Sequence, residues 1–155
     1  MRNKNKAGFT LIELLVVIAI IGLLASVVLL ALNGARAKSR DAKRIADVRQ
    51  LASAFELFFN DYNSYPTIGY NAGPVIMTTT NATTAKLAPT YIGLMPTAPT
   101  PPDAPCVAGV GSNDYTYSVA AGSNLVNNYT FTFCLGAATG GYSNGIHTMT
   151  AAGIQ

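Results

Sequence analysis

The chain has 155 residues, half of them hydrophobic, and only 11% are charged, for a formal net charge of +3. One anchor and one small domain exhaust that length, which argues against a second independent domain. The charge is uneven. Arg2, Lys4 and Lys6 precede the long apolar run, and residues 9–155 carry seven basic against seven acidic side chains.

Residues 1–8 form a short basic leader ending in Gly8, and residues 9–32 are apolar except for one charge, Glu13. The run is long enough to cross a bilayer as a helix. A carboxylate inside it is costly and reads as functional. Positive residues directly before the run favour keeping the leader cytoplasmic and the rest outside. Basic residues at 36–44 weaken that asymmetry. A secretory signal cleaved after Ala35-Arg36-Ala37 competes for the segment. The run exceeds the usual apolar region of about 7–15 residues, though, and Glu13 interrupts it. A plain single-pass anchor accounts for the length but not for Glu13 or for Gly8-Phe9.

The order of basic leader, Gly8, Phe9 and then Glu13 inside the apolar stretch resembles the type IV pilin and pseudopilin family. The resemblance implies that a prepilin peptidase cuts after Gly8 and methylates the new N-terminal Phe9. It also implies that Glu13 meets the Phe9 ammonium of a neighbouring subunit in a filament. Two opposite charges in a low-dielectric core each lose hydration, so pairing is the cheapest remedy and a subunit out of register leaves a charge unpaired. The alternative is that Glu13 snorkels to the headgroups.

The implied fold is α+β: a long N-terminal helix, its hydrophobic half protruding, packed on a small antiparallel sheet. The expected divisions are leader 1–8, membrane or filament-core helix 9–32, amphipathic helix 33–65 and head 66–155. Within the head, a loop spans 66–105 and the sheet about 115–151. The implied partners are copies of the same chain, prepilin peptidase, pilus assembly machinery and the inner membrane before assembly. The head would be extracytoplasmic and the assembled filament extracellular. A pseudopilin of a type II secretion or DNA-uptake system is the second reading. Head size, the Cys106/Cys134 pair and the sparse acids near the sheet favour a pilus.

No proline occurs before Pro66, so residues 9–63 read as one helix of roughly 80 Å. Gly22 and Gly34 are its weak points. After Asn33 the pattern becomes amphipathic: Ile45, Val48, Leu51 or Ala52, Phe55, Phe58 or Phe59, and Tyr62. Asp41 with Arg44, and Lys43 with Asp47, read as pairs on the exposed face. Pro66 ends the helix. Residues 67–105 hold seven prolines. Within them, 78–84 reads as a polar surface and 85–87 as a short helical turn.

Residues 115–119 and 129–135 alternate apolar with polar as strands do. Tyr117, Val119, Phe131, Phe133 and Leu135 form the expected sheet core. Residues 120–128 connect these strands, and 146–150 reads as a third strand after a flexible segment at 136–145.

Cys106 and Cys134 form the expected disulfide of an exported chain; free thiols or a metal pair are the rivals. His147 has no ligand-like companion, so no metal is expected. Asp103 and Asp114 alone make a thin calcium site. No cofactor and no nucleophile–base pair are expected, and a lone histidine argues against most hydrolytic triads. A membrane-anchored enzyme or binding domain is the rival of a different class. Residues 36–49 have the charge to meet phosphates. They lie on the stalk and read as a solvated or intersubunit face, so nucleic acid is not an expected partner.

Overall fold

The computed structural model describes residues 8–68, 74–106, 113–119 and 128–155. Helix α1 spans Leu11–Tyr62 without interruption, Gly22 and Gly34 included. No proline breaks its hydrogen-bond ladder. Asn63 stops it in the left-handed conformation, φ +50°, with its N–H donating to Phe59 O at 2.7 Å. Asparagine tolerates that cap position better than most residues. The chain divides into two compact units, Met1–Arg36 and Ala37–Gln155.

The second unit holds a five-stranded antiparallel sheet: β1 (Val75–Ile76), β2 (Thr116–Val119), β3 (Tyr129–Leu135), β4 (Gly145–Thr150) and β5 (Gly153–Ile154). The spatial order follows the chain, β1-β2-β3-β4-β5. Tyr117 stands opposite Phe131, and Phe131 opposite Met149. Within this unit the face of α1 carrying Ile45, Val48, Leu51, Ala54, Phe55 and Phe58 joins one core with the sheet residues Tyr117, Tyr129, Phe131, Phe133, Leu135 and Met149. The Phe55 ring lies 4.8 Å from that of Tyr129 and 5.2 Å from that of Tyr117. Aromatic pairs at these separations add to the burial term.

The expected stripe and sheet core are therefore found, with two differences. Val119 is only partly buried, and Tyr62 is exposed, at the end of the helix. Ala54, which the stripe omits, is buried.

Other differences lie in the loop and in the connections. The two-residue strand β1 sits inside the segment read as loop, and β5 extends the sheet past the expected third strand. Helix α2 occupies Thr79–Thr84, where a polar surface was expected, and not residues 85–87. Thr78 explains this: its hydroxyl accepts from Asn81 N at 3.2 Å, a side-chain N-cap. Asn81 in turn donates to Ile76 O.

Residues 136–145, read as flexible, contain a tight reversal. Thr139 and Tyr142 exchange both backbone hydrogen bonds across Gly140 and Gly141, whose φ values are +63° and +89°. Those angles suit glycine in a two-residue hairpin turn. The connection expected at 120–128 lies, except for Asn128, outside the described residues.

Candidate functional site

The first unit places Gly8, Phe9 and Glu13 at the start of α1. Phe9 is 91% exposed. Thr10 is the residue before the helix. Its backbone N–H and its hydroxyl both donate to Glu13 Oε2 at 2.8 Å, and Glu13 N–H donates to Thr10 Oγ1 at 3.3 Å. This is a reciprocal capping box, in which the two side chains satisfy backbone donors that the first helical turn leaves orphaned. The carboxylate also meets the positive end of the helix dipole. Sequence reasoning missed this role, although the spacing Thr10-x-x-Glu13 before an apolar run carries the signal. The helix has a window of mean hydropathy 3.2, none of it buried. Motif and apolar helix together fit anchoring in a membrane.

In the second unit both expected helix pairs form, but not on an exposed face. Arg44 and Asp41 are both fully buried, joined at 2.6 Å. Arg44 also donates to Asn113 Oδ1 at 2.8 Å, Pro99 O at 3.2 Å and Asp103 Oδ2 at 3.3 Å. Asp41 accepts from the backbone N–H groups of Gly136 and Ala137 at 3.0 and 2.8 Å. Arg40 forms a two-pronged contact with Asp103. Lys43 does pair with Asp47, at 3.3 Å, but Asp47 is largely buried and also accepts from the Tyr115 hydroxyl.

The helical spacing reports the local pairing correctly; it does not show the loop that closes over it. The Arg40 and Arg44 guanidiniums hold the Asp103 carboxyl below the usual carboxylate range. Asp103 thus has arginine partners where the calcium reading considered a cation. Residues 36–49 are accordingly not a uniformly solvated basic face.

Cys106 and Cys134 form a disulfide, with Cα atoms 5.7 Å apart. Cys134 points away from the core face of β3, as the alternation requires, and the Cys106 segment covers it. His147 lies on β4, its ring nitrogens bonded to the carbonyls of Ser143 and Gln155. Among the described residues no three His, Cys, Asp or Glu side chains gather as a metal site.

A capped, fully exposed apolar helix start and a head built of helix on antiparallel sheet define a pilin-like α+β protein. The family model for the prokaryotic N-terminal methylation motif matches residues 3–29. The type II secretion system core protein G of Aeromonas hydrophila is 40% identical over 67 residues, 43% of this chain and 47% of that protein. Its counterpart of the same name in Escherichia coli is 43% identical over 68 residues, 43% of this chain and 47% of that protein. The type IV wide pilus major component PilA4 of Thermus thermophilus is 44% identical over 62 residues, 40% of this chain and 47% of that protein. The N-terminal methylation motif and these relatives support a place for the chain in the type IV pilin and pseudopilin family. The chain spans about half the length of these curated relatives. No solved structure matches it significantly.

Proposed function

We propose that this chain is a structural subunit of a type IV pilus filament and not an enzyme. It is made as a single-pass precursor in the cytoplasmic membrane and polymerised through its N-terminal helix. The observation that carries the reading is the bare apolar helix start: every large hydrophobic side chain from Phe9 to Leu32 faces out, with one carboxylate, Glu13, among them. Such a surface needs lipid or other helices around it. Prepilin peptidase cleaves after Gly8 and methylates Phe9. The Phe9 ammonium of one subunit then pairs with Glu13 of another, and the pair sets register.

The capping box supports a division of labour within the carboxylate. Thr10 occupies Oε2, which leaves Oε1 for the neighbour's ammonium. In the filament the partners are further copies of the chain and the machinery that extrudes them, and the head is outside the cell.

The pseudopilin reading stands beside this one, because the relatives include type II secretion core proteins as well as a pilus component. Mass spectrometry of the mature chain from its host tests what the two share. A chain starting at Phe9 with one added methyl group is the expected result. Retention of Met1, or a start at Lys38, overturns it. Electron microscopy then separates long surface fibres from short periplasmic ones.

A further inference from the structure

We propose that the Cys106–Cys134 disulfide is the latch of a redox-controlled clasp, which closes residues 99–106 and 136–137 around the buried Arg44 and opens when the bond is absent. This proposal is independent of the kind of filament, since all its parts lie in the second compact unit.

Two of the segments that grip the helix flank the cysteines. Asp103, three residues before Cys106, contacts Arg40 and Arg44. Gly136 and Ala137, just after Cys134, donate to Asp41. The segments also meet each other: a Cβ at Gly136 would overlap the side chain of Asp103, so only glycine lets them close. The disulfide ties them covalently across a sequence separation of 28.

Among the described residues, the further contact that holds residues 99–106 to the helix is the hydrogen bond from Arg44 to Pro99 O. Pro99, Pro101, Pro102 and Pro105 carry no N–H. The described backbone bond inside the segment runs from Cys106 N–H to Asp103 O. Its remaining grip is ionic and balanced. Closed, Arg44 is dehydrated and paired; open, Arg44, Asp41 and Asp103 regain water. A buried ion pair whose desolvation nearly offsets its attraction is easily tipped. A crosslink that shortens the open chain's freedom tips it toward closure. The chain therefore has a loose clasp while its thiols are reduced and a shut one once they are oxidised.

The opening step is ordinary thiol–disulfide exchange. Both cysteines are buried in the closed head, so a thiolate of an external dithiol attacks one sulfur during a transient opening of the clasp and breaks the Cys106–Cys134 bond, giving a mixed disulfide. The dithiol's second thiolate displaces the cysteine. Two electrons and two protons end on Cys106 and Cys134, and the dithiol leaves as its own cyclic disulfide.

The full chain in detergent micelles, with and without dithiothreitol, provides the test. Trypsin cleavage after Arg40 and Arg44 is followed by mass spectrometry, and hydrogen exchange is followed in β3 and β4. Reduction is expected to raise cleavage after Arg44 at least tenfold while Phe131, Phe133 and Met149 amides stay protected. Asp103→Asn, with the disulfide intact, is expected to raise the same cleavage to a smaller extent. Unchanged cleavage on reduction overturns the proposal. So does equal loss of protection throughout the sheet, which would make the disulfide a staple of the whole head. Wild-type resistance of Asp103→Asn removes the ionic half of the clasp and likewise overturns it.

Discussion

Between Phe9 and Leu32 every large hydrophobic side chain is at least 40% exposed, whereas Ile45, Val48, Leu51, Phe55 and Phe58 further along the same helix are at most 6% exposed. One continuous α1 thus serves two compact units in opposite ways. In the second unit the helix finishes its burial inside the chain, against Tyr117, Tyr129 and Phe131. In the first unit no described residue covers it. A hydrophobic surface of that extent fits contact with lipid or with neighbouring helices. On the proposed function, the second unit's residues answer to stability and the first unit's to assembly, so mutations in the two should fail in different assays.

The largest expected effect follows from Glu13. Glu13→Gln keeps the helix apolar and keeps a side-chain oxygen for the cap, but removes the charge. Filament yield by electron microscopy should fall to near zero while the precursor still fractionates with membranes. Normal filaments from this variant would end the register role and leave Glu13 as a cap alone. In the second unit the comparable change is Phe55→Ala, which empties a fully buried aromatic site. It should lower head stability by about 3–5 kcal/mol in denaturant unfolding. Leu24→Ala in the first unit should shift the same transition by no more than about 0.5 kcal/mol. If Leu24→Ala destabilised the head as Phe55→Ala does, the division between the units would be wrong.

How much was legible beforehand follows the same division. The first unit is specified by residue type along a short stretch, so the methylation motif and the unbroken apolar helix could be read directly. The stripe from Ile45 to Phe58 and the alternation of Tyr129, Phe131, Phe133 and Leu135 were legible because burial imposes periods of 3.6 and 2. The Arg44 cluster was not. Its partners Pro99, Asp103 and Asn113 lie 55 to 69 residues away, and no local period records such a contact. Asp41 and Arg44 looked like a surface pair because spacing reports which residues are neighbours on a helix, not what covers them. The strands β1 and β5, two residues each, are too short to show alternation. Helix α2 was missed for a different reason: a run of threonines has low helix propensity, and the Thr78 cap outweighs it.

Acid and alkali offer a finer test of the second unit. Asp103 has its pKa depressed, chiefly by the Arg40 hydrogen bond. Its ionised form is favoured by the fold, so its contribution is complete above the unfolded value of about 4 and is lost as pH falls through the folded value. Head stability should therefore decline below about pH 4, and Asp103→Asn should flatten that decline.

At the other end, Tyr65 is raised to about 12, first by burial and then by its hydrogen bond to Glu56. Tyr91 is raised to about 12 by its hydrogen bond to Asp61. Burial raises Tyr115 and Tyr117 further. Here the neutral form is favoured, so the contribution is intact below the unfolded value of about 10 and is lost as pH rises toward the folded values. Tyrosinate absorbance should appear late, and unfolding should accompany it. Early, complete titration near pH 10 in the folded protein would contradict the burial of these rings.

The smallest effect comes from the caps, of which each unit supplies one. Thr10 caps α1 and Thr78 caps α2, each through its hydroxyl. Thr78→Ala should cost the head about 1 kcal/mol, the usual value for losing such a cap. Thr10→Val is nearly isosteric and removes both the hydroxyl that accepts from Glu13 N–H and one of the two donors to Glu13 Oε2. It should leave head unfolding unchanged and accelerate hydrogen exchange at the Glu13 amide by roughly fivefold, the equivalent of about 1 kcal/mol. Thr10→Ser should restore slow exchange, because the oxygen is what the cap needs. If the Thr10→Val change instead moved the head transition, the first turn of α1 and the head would be energetically coupled, and the two units could no longer be treated as separate bearers of assembly and stability. If exchange at the Glu13 amide did not change, Glu13 would be free of the Thr10 hydroxyl in solution and available in full to a neighbour's ammonium.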